Sequence, residues 1–327
     1  MDNPNTSLFI SDKILHIDNK KNMDLYSVAL HIHVYYLDVF EKYLTYFDSM
    51  PFAFDVFITT DTQEKKKIIQ ESLQSHKTAE YVKEIIIVKN IGRDVLPWIS
   101  IAERLKTYNV AGHFHTKKTT TAEQWVGESW QKDIFETLLE NSQSILNAFA
   151  QNPGLGVVIP DIPHYWRLHP LAYTHDADFL KKIKNLWQRM GCKKQLDFDA
   201  MTGFIMPFGT MFWYRPAALE KLTSLRFSAE EIPQEPLPVH GTILHAIERL
   251  IVYAAWDGDY DYRIAPLKTQ MCGFADAMVW NRVIRSVYES RDYRAGHVLL
   301  APLRFIKKML TGAGRMCHQI KSKTPSP

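Results

Sequence analysis

Cysteine is scarce in this chain, and the three present (Cys192, Cys272 and Cys317) stand far apart with no paired spacing. An odd, scattered set excludes a disulfide framework and a cysteine-rich zinc site, and it suits a reducing compartment. Long hydrophobic runs are also lacking. No window approaches the roughly 18 to 20 apolar residues that a membrane span requires. Met1 to Ser7 has neither the cationic start nor the apolar stretch of a signal peptide. The expectation is a cytoplasmic protein, one that can still lie against the inner face of a membrane. An excess of one charge is missing too. Thirty-nine Lys and Arg against 36 Asp and Glu leave a net charge of +3, which gives no support for nucleic-acid binding. Neither an internal repeat nor a low-complexity stretch is present.

What remains is a 327-residue chain with 46% hydrophobic and 23% charged residues. That is ordinary for a globular protein, and long enough for one large α/β domain with a helical appendage. The first half alternates strand and helix patterns. Apolar, β-rich runs cover 25–34, 54–59, 85–88, 110–115 and 156–160. Helical spacing covers 38–47, 64–75, 95–108 and about 128–150. Asp61 or Thr62 can cap the helix over 64–75. The Ile85–Val88 run is wholly apolar, as in a strand buried on both faces. This alternation predicts βαβ units in a mostly parallel, doubly wound sheet with helices on both faces. In such sheets ligands bind outside the carboxyl ends of the strands.

The second half reads less regularly. An aromatic, His-rich loop covers 164–175, helices cover 178–190 and 242–255, and an apolar block covers 204–214. Asp257-Gly258-Asp259 reads as a turn. The domain reading is a body over 1–280, divided near 160 into a nucleotide-binding half (about 25–160) and an acceptor half (161–280). A basic amphipathic helical extension over 281–327 follows, and its segment 299–321 has the pattern of a peripheral membrane contact.

Several polar motifs fall at predicted strand ends. Asn90-Ile91-Gly92-Arg93-Asp94 follows a strand and opens a helix. Gly92 permits a tight turn, Arg93 can pair with a diphosphate, and Asp94 can accept from a ribose hydroxyl or a base edge. The alternative is a plain turn with a capping Asp. In His113-Phe114-His115-Thr116-Lys117-Lys118 the two histidines share a strand face, and the two lysines follow. This set can hold a pyrophosphate by charge, without a metal; no nearby Cys or carboxylate completes a metal site. His31-Ile32-His33 ends the first strand in the same way. Trp213 and Arg215, within Gly209–Pro216, offer either a sugar-stacking surface or plain core. Glu230, Glu231 and Glu235 precede His240-Gly241-Thr242 and a helix bearing His245, Glu248 and Arg249. A base that takes a proton from a sugar hydroxyl must be a positioned carboxylate or His.

The blocks HIHVYY (31–36), FDVFITTD (54–61), NIGRD (90–94), HFHTKK (113–118), GTMFWYRPAAL (209–219) and HGTILHAIERL (240–250) together resemble the rhamnan synthesis protein F family. The resemblance runs in order over about 25–280. It implies glycosyl transfer from an activated rhamnose during assembly of rhamnose-rich surface polysaccharide or O-antigen, on a GT-A-like, Rossmann-like fold. The NIGRD loop then falls where such enzymes bind the nucleotide. HFHTKK falls where many carry an Asp-x-Asp metal motif, so no metal is expected to be obligatory, with magnesium or manganese left open. His240 also departs from the pattern, since an Asp is expected there.

On this reading the donor, dTDP-rhamnose or another nucleotide diphosphate-rhamnose, is bound by Thr59, Asp61, Asn90, Gly92, Arg93, Asp94, His113, His115, Lys117 and Lys118. The acceptor, a growing or lipid-linked glycan, meets Trp213, Arg215, His240 and His245. Glu235, or Glu248 in second place, is the base of an inverting transfer. Two alternatives belong to other classes. One is a catalytically silent glycan-binding or scaffold subunit of an assembly complex. The other is a metal-dependent hydrolase built on the His-x-His pairs.

Overall fold

The computed structural model describes residues 10–18, 26–118, 124–167, 177–201, 203–238 and 241–268. A seven-stranded sheet organises them, in the order β3-β2-β1-β4-β6-β5-β7. The strands are β1 Val28–His33, β2 Asp55–Thr60, β3 Val82–Ile87, β4 Val110–His115, β5 Leu155–Pro160, β6 Phe212–Tyr214 and β7 Asp261–Ala265. All pairings are parallel except those of β6, which runs antiparallel between β4 and β5. The fold is therefore mixed α/β with a mostly parallel sheet, as the alternating pattern predicts.

The helices in chain order are α1 Leu37–Asp48, α2 Gln63–Leu73, α3 Val95–Ser100, α4 Ala102–Leu105, α5 Gln124–Ile134, α6 Ser142–Gln151, α7 His164–Arg167, α8 Ala177–Arg189, α9 Glu220–Thr223 and α10 Ile243–Asp257. Strand alternation divides the sheet into two unlike faces. One presents Leu30, Ile32, Val56, Ile58, Phe114 and Trp213. It packs against Phe40, Tyr43, Leu44 and Phe47 of α1 and against Ile145, Leu146 and Phe149 of α6, forming the main apolar core. The other presents His31, His33, Thr59, His113, His115, Phe212 and Tyr214, all buried. Trp98 of α3 closes over this polar layer. Its ring stacks on His113 with centroids 5.3 Å apart, and its indole N–H donates to the Tyr214 hydroxyl at 2.8 Å.

Four details correct the expectations. β3 is a sheet edge and not a strand buried on both faces, since among the described residues only β2 pairs with it; Ile87 is 43% exposed. The single helix expected over 95–108 is two short ones, broken at Ile101, whose N–H bonds to the Trp98 carbonyl three residues back. The long helix expected over 128–150 contains a π-turn at Phe135–Leu139 and restarts at Ser142. The wider turn lets Ile134, Phe135, Leu138 and Leu139 all reach the core. Finally β7, absent from the sequence reading, pairs in parallel with β5 after the predicted turn at Asp257–Asp259.

Of the two capping candidates, Thr62 takes the role, accepting from the Lys65 N–H at 3.1 Å. No helix among the described residues is long and apolar enough to cross a membrane. The basic segment 299–321 and most of the His-rich loop lie outside the described residues.

Candidate functional site

Three chain segments meet above the carboxyl end of β4. The first is the turn from β3 into α3. Gly92 adopts φ +75° and Arg93 follows at φ +52°, a left-handed pair that only glycine enters at little cost. The turn delivers Asp94 to the start of α3. Its carboxylate makes no capping bond to the helix, and one of its oxygens is buried without a hydrogen-bond partner among the described residues. The second segment is the end of β4 itself, with His115 and Lys117. The third is the Gly209-Thr210 turn, φ +85° and +57°, which leads into β6.

The Gly209-Thr210 turn is held from α10. Glu248 accepts from the Gly209 N–H at 2.8 Å, the Thr210 N–H at 3.1 Å and the Thr210 hydroxyl at 3.4 Å. The Gly209 carbonyl in turn accepts from His115 Nε2 at 2.7 Å, and that nitrogen lies 3.7 Å from Asp94 Oδ2. Arg93, Asp94, His115, Lys117, Gly209, Thr210 and Glu248 therefore line one cleft of about 80 Å³, joined by Leu237, Leu244 and His245.

Lys117 is the distinctive charge of the cleft. It has neither an ion-pair nor a hydrogen-bond partner among the described residues, and its ammonium sits 3.7 Å over the Trp130 ring. A cation held by an aromatic face keeps its full charge and leaves its N–H groups available to a ligand. Burial lowers its pKa, while Glu248 and Asp94 act in the opposite direction. Gly209 fits against this pair. A Cβ there would lie 3.2 Å from Trp130 Cζ2 and 3.5 Å from the ammonium.

Beneath the cleft the His-x-His motifs form a layer of their own. His31 Nδ1 meets His113 Nδ1 at 3.0 Å, and His31 Nε2 and His33 Nδ1 both reach the Thr59 hydroxyl at 2.9 Å. Burial holds His31 and His113 well below the ordinary histidine pKa, aided by repulsion from their histidine neighbours. Burial also lowers His33 to about 4, against the attraction of Asp94 and Asp61. These rings fold neutral, joined to one another directly (His31 and His113) or through the Thr59 hydroxyl (His31 and His33). Among the described residues no group of three or more His, Cys, Asp or Glu is arranged to hold a metal.

The structure redistributes the sequence candidates. Arg93, Asp94, His115, Lys117, His245 and Glu248 come together in the cleft. Asp61 stands beside it at the end of β2, 2.7 Å from Lys65, close enough to His33 to influence its proton. Thr59 and His113 are fully buried in the histidine layer, out of a ligand's reach. Asn90 is exposed off the cleft, and Gly92 acts through its turn. Lys118 points instead to the first turn of α1, pairing with Asp38 at 2.6 Å.

The expected acceptor surface is corrected most. Trp213 lies in the apolar core with its N–H donated to the Leu138 carbonyl. Arg215 donates to the Leu155, Phe149 and Asn152 carbonyls, tying down the end of α6. Neither lines the cleft. His245 is the N3 residue of the Thr242 capping box as well as a lining residue. Glu235 forms a two-point ion pair with Arg93, at 2.9 and 3.3 Å, both side chains about half exposed. His240 lies outside the described residues.

Trp130, Thr210 and Leu237 were missed by the sequence reading. Only Thr210, beside a motif glycine, left a signal.

Residues 1–260 match the family described as rhamnan synthesis protein F. Two curated relatives, each called uncharacterized protein WxcX and from two strains of Xanthomonas campestris pv. campestris, are 29% identical over 229 residues. The match covers 69% of this chain and 31% of each relative, so the chain spans about a third of their length.

Proposed function

This chain belongs to the rhamnan synthesis protein F family, and from that premise we propose that it is a GT-A-like, inverting rhamnosyltransferase of surface polysaccharide or O-antigen synthesis. Membership itself implies a part in rhamnan or polysaccharide synthesis. The donor is a nucleotide diphosphate-rhamnose, and the acceptor is a growing, lipid-linked glycan on the cytoplasmic side of the membrane.

The observation that carries the reading is the cleft itself. Charged side chains from separate strand ends line it, and one of them, Lys117, is a cation with no ion-pair or hydrogen-bond partner among the described residues. In the proposed step the acceptor hydroxyl oxygen forms a bond to the sugar's C1 as the C1–O bond to the diphosphate breaks. The hydroxyl proton passes to a carboxylate, and the electron pair leaves with the diphosphate. Lys117 and Arg93 offset that growing charge, a task for preorganised cations. Asp94, one of whose oxygens has no hydrogen-bond partner among the described residues, accepts from a ribose hydroxyl. Glu235 is the base once the diphosphate replaces it at Arg93. Glu248 is already occupied by two turn amides and serves as a positioning residue.

The test is a thermal-shift series on the full chain with dTDP-rhamnose, UDP-glucose and GDP-mannose in chelator, followed by mass-spectrometric detection of sugar transfer. A ligand at 100 times its dissociation constant adds roughly 2.7 kcal/mol. Stabilisation and transfer with the rhamnose donor in chelator are expected. Absence of both with every donor removes the reading. Binding without transfer favours the silent glycan-binding subunit, and activity restored only by magnesium or manganese overturns its metal-free feature.

A further inference from the structure

A row of aromatic rings leads from the surface to the Lys117 cleft. Trp125 meets Tyr165 edge-on at 5.6 Å, Tyr165 meets Trp166 at 5.1 Å, and Trp166 meets Trp130 at 5.4 Å, with interplanar angles of 74°, 86° and 79°. Trp130 then carries the Lys117 ammonium. The row is built deliberately. Asp133, buried on α5, accepts from the His164 backbone N–H at 2.7 Å and contacts its ring at 2.9 Å, fixing α7 and therefore Tyr165 and Trp166 against α5.

This row is not core. Trp125 at its outer end is 56% exposed, more than any other large apolar side chain among the described residues, and Tyr165 and Trp166 are only half buried. An exposed, ordered aromatic surface continuous with a cleft marks a binding site. We propose that Trp125, Tyr165, Trp166 and Trp130 form the track along which the saccharide chain of the acceptor lies, its apolar C–H faces on the rings and its growing end at Lys117. This inference rests on the glycosyltransferase reading and relocates the acceptor surface from Trp213, which is buried, to α5 and α7. A single-stranded nucleic acid also stacks on aromatics but needs basic residues between them. α5 carries two acidic residues, Glu128 and Asp133, against one basic residue, Lys132, so a neutral saccharide is the fitting occupant.

The full chain and its Trp125→Ala and Trp125→Phe variants would be titrated calorimetrically with a rhamnose tetrasaccharide, with free rhamnose, and with dTDP-rhamnose. Trp125 is more than half exposed, so neither change threatens the fold. Losing one aromatic anchor should weaken the tetrasaccharide about tenfold in the Ala variant and no more than about threefold in the Phe variant. The responses to free rhamnose and dTDP-rhamnose should be the same in all three proteins. Equal tetrasaccharide affinity in wild type and Trp125→Ala, or no tetrasaccharide binding by wild type, overturns the track. Tetrasaccharide binding that depends on Trp125, with no response to dTDP-rhamnose here or to the other donors of the thermal-shift series, keeps the track and removes the transferase reading instead.

Discussion

Lowering the pH from about 8 to about 5 spans the ordinary histidine pKa of about 6.5, and the layer under the cleft makes that range critical. His31, His33 and His113 fold neutral, each with a pKa depressed by burial. The unfolded chain therefore takes up protons first, so their stability contribution is complete above the unfolded value and is lost as pH falls through it. For His33 the loss levels off near its folded value of about 4. At about pH 5 an unfolded histidine is favoured by some 1.5 pH units, or about 2 kcal/mol for His33. Burial depresses His31 and His113 in the same direction, so both add to the loss as pH falls.

Urea unfolding followed by tryptophan fluorescence, at constant ionic strength and stepped pH, reads this directly. Stability should fall as pH is lowered between about pH 6 and 5, with His33 alone contributing near one proton, or about 1.4 kcal/mol per pH unit. His33→Gln should reduce it by one proton. A slope under one proton in wild type would refute the buried neutral layer.

Three further outcomes follow from the cleft. Lys117→Met should lower transfer by roughly 100-fold, the scale of losing one preorganised electrostatic contact, with thermal stability little changed; turnover within a few-fold of wild type speaks against its role. Glu248→Ala strands the part-buried Gly209 and Thr210 amides and should cost at least about 2 kcal/mol by calorimetry, since each orphaned amide costs about 1 kcal/mol or more, and Glu248→Gln should recover most of it. Gly209→Ala must hold φ +85° and press on Trp130, so it should lose about 1 to 2 kcal/mol together with donor affinity. An unchanged melting temperature for that variant would show that the turn is not under this constraint.

Much of this was legible in the sequence for a simple reason: periodicity and strand-end chemistry are local. The α/β alternation, β4 at Val110–His115, the Gly92 turn and the grouping of Arg93, Asp94, His115 and Lys117 all follow from local pattern plus the rule that ligands sit at strand ends. Local pattern also gave the right turn at Asp257–Asp259, though not the strand beyond it. Tertiary structure decided everything that depends on which neighbour a side chain meets. Alternation placed Trp213 and His113 on opposite faces of the sheet, but only the packing of α6 and α3 buried both. Lys117 and Lys118 are adjacent in sequence. Among the described residues one has no ion-pair or hydrogen-bond partner and lies over Trp130, while the other is neutralised by Asp38, because successive residues leaving a strand point to opposite sides. The aromatic row joins α5 to α7 across a gap in the chain that no periodicity spans, so only the fold could assemble it.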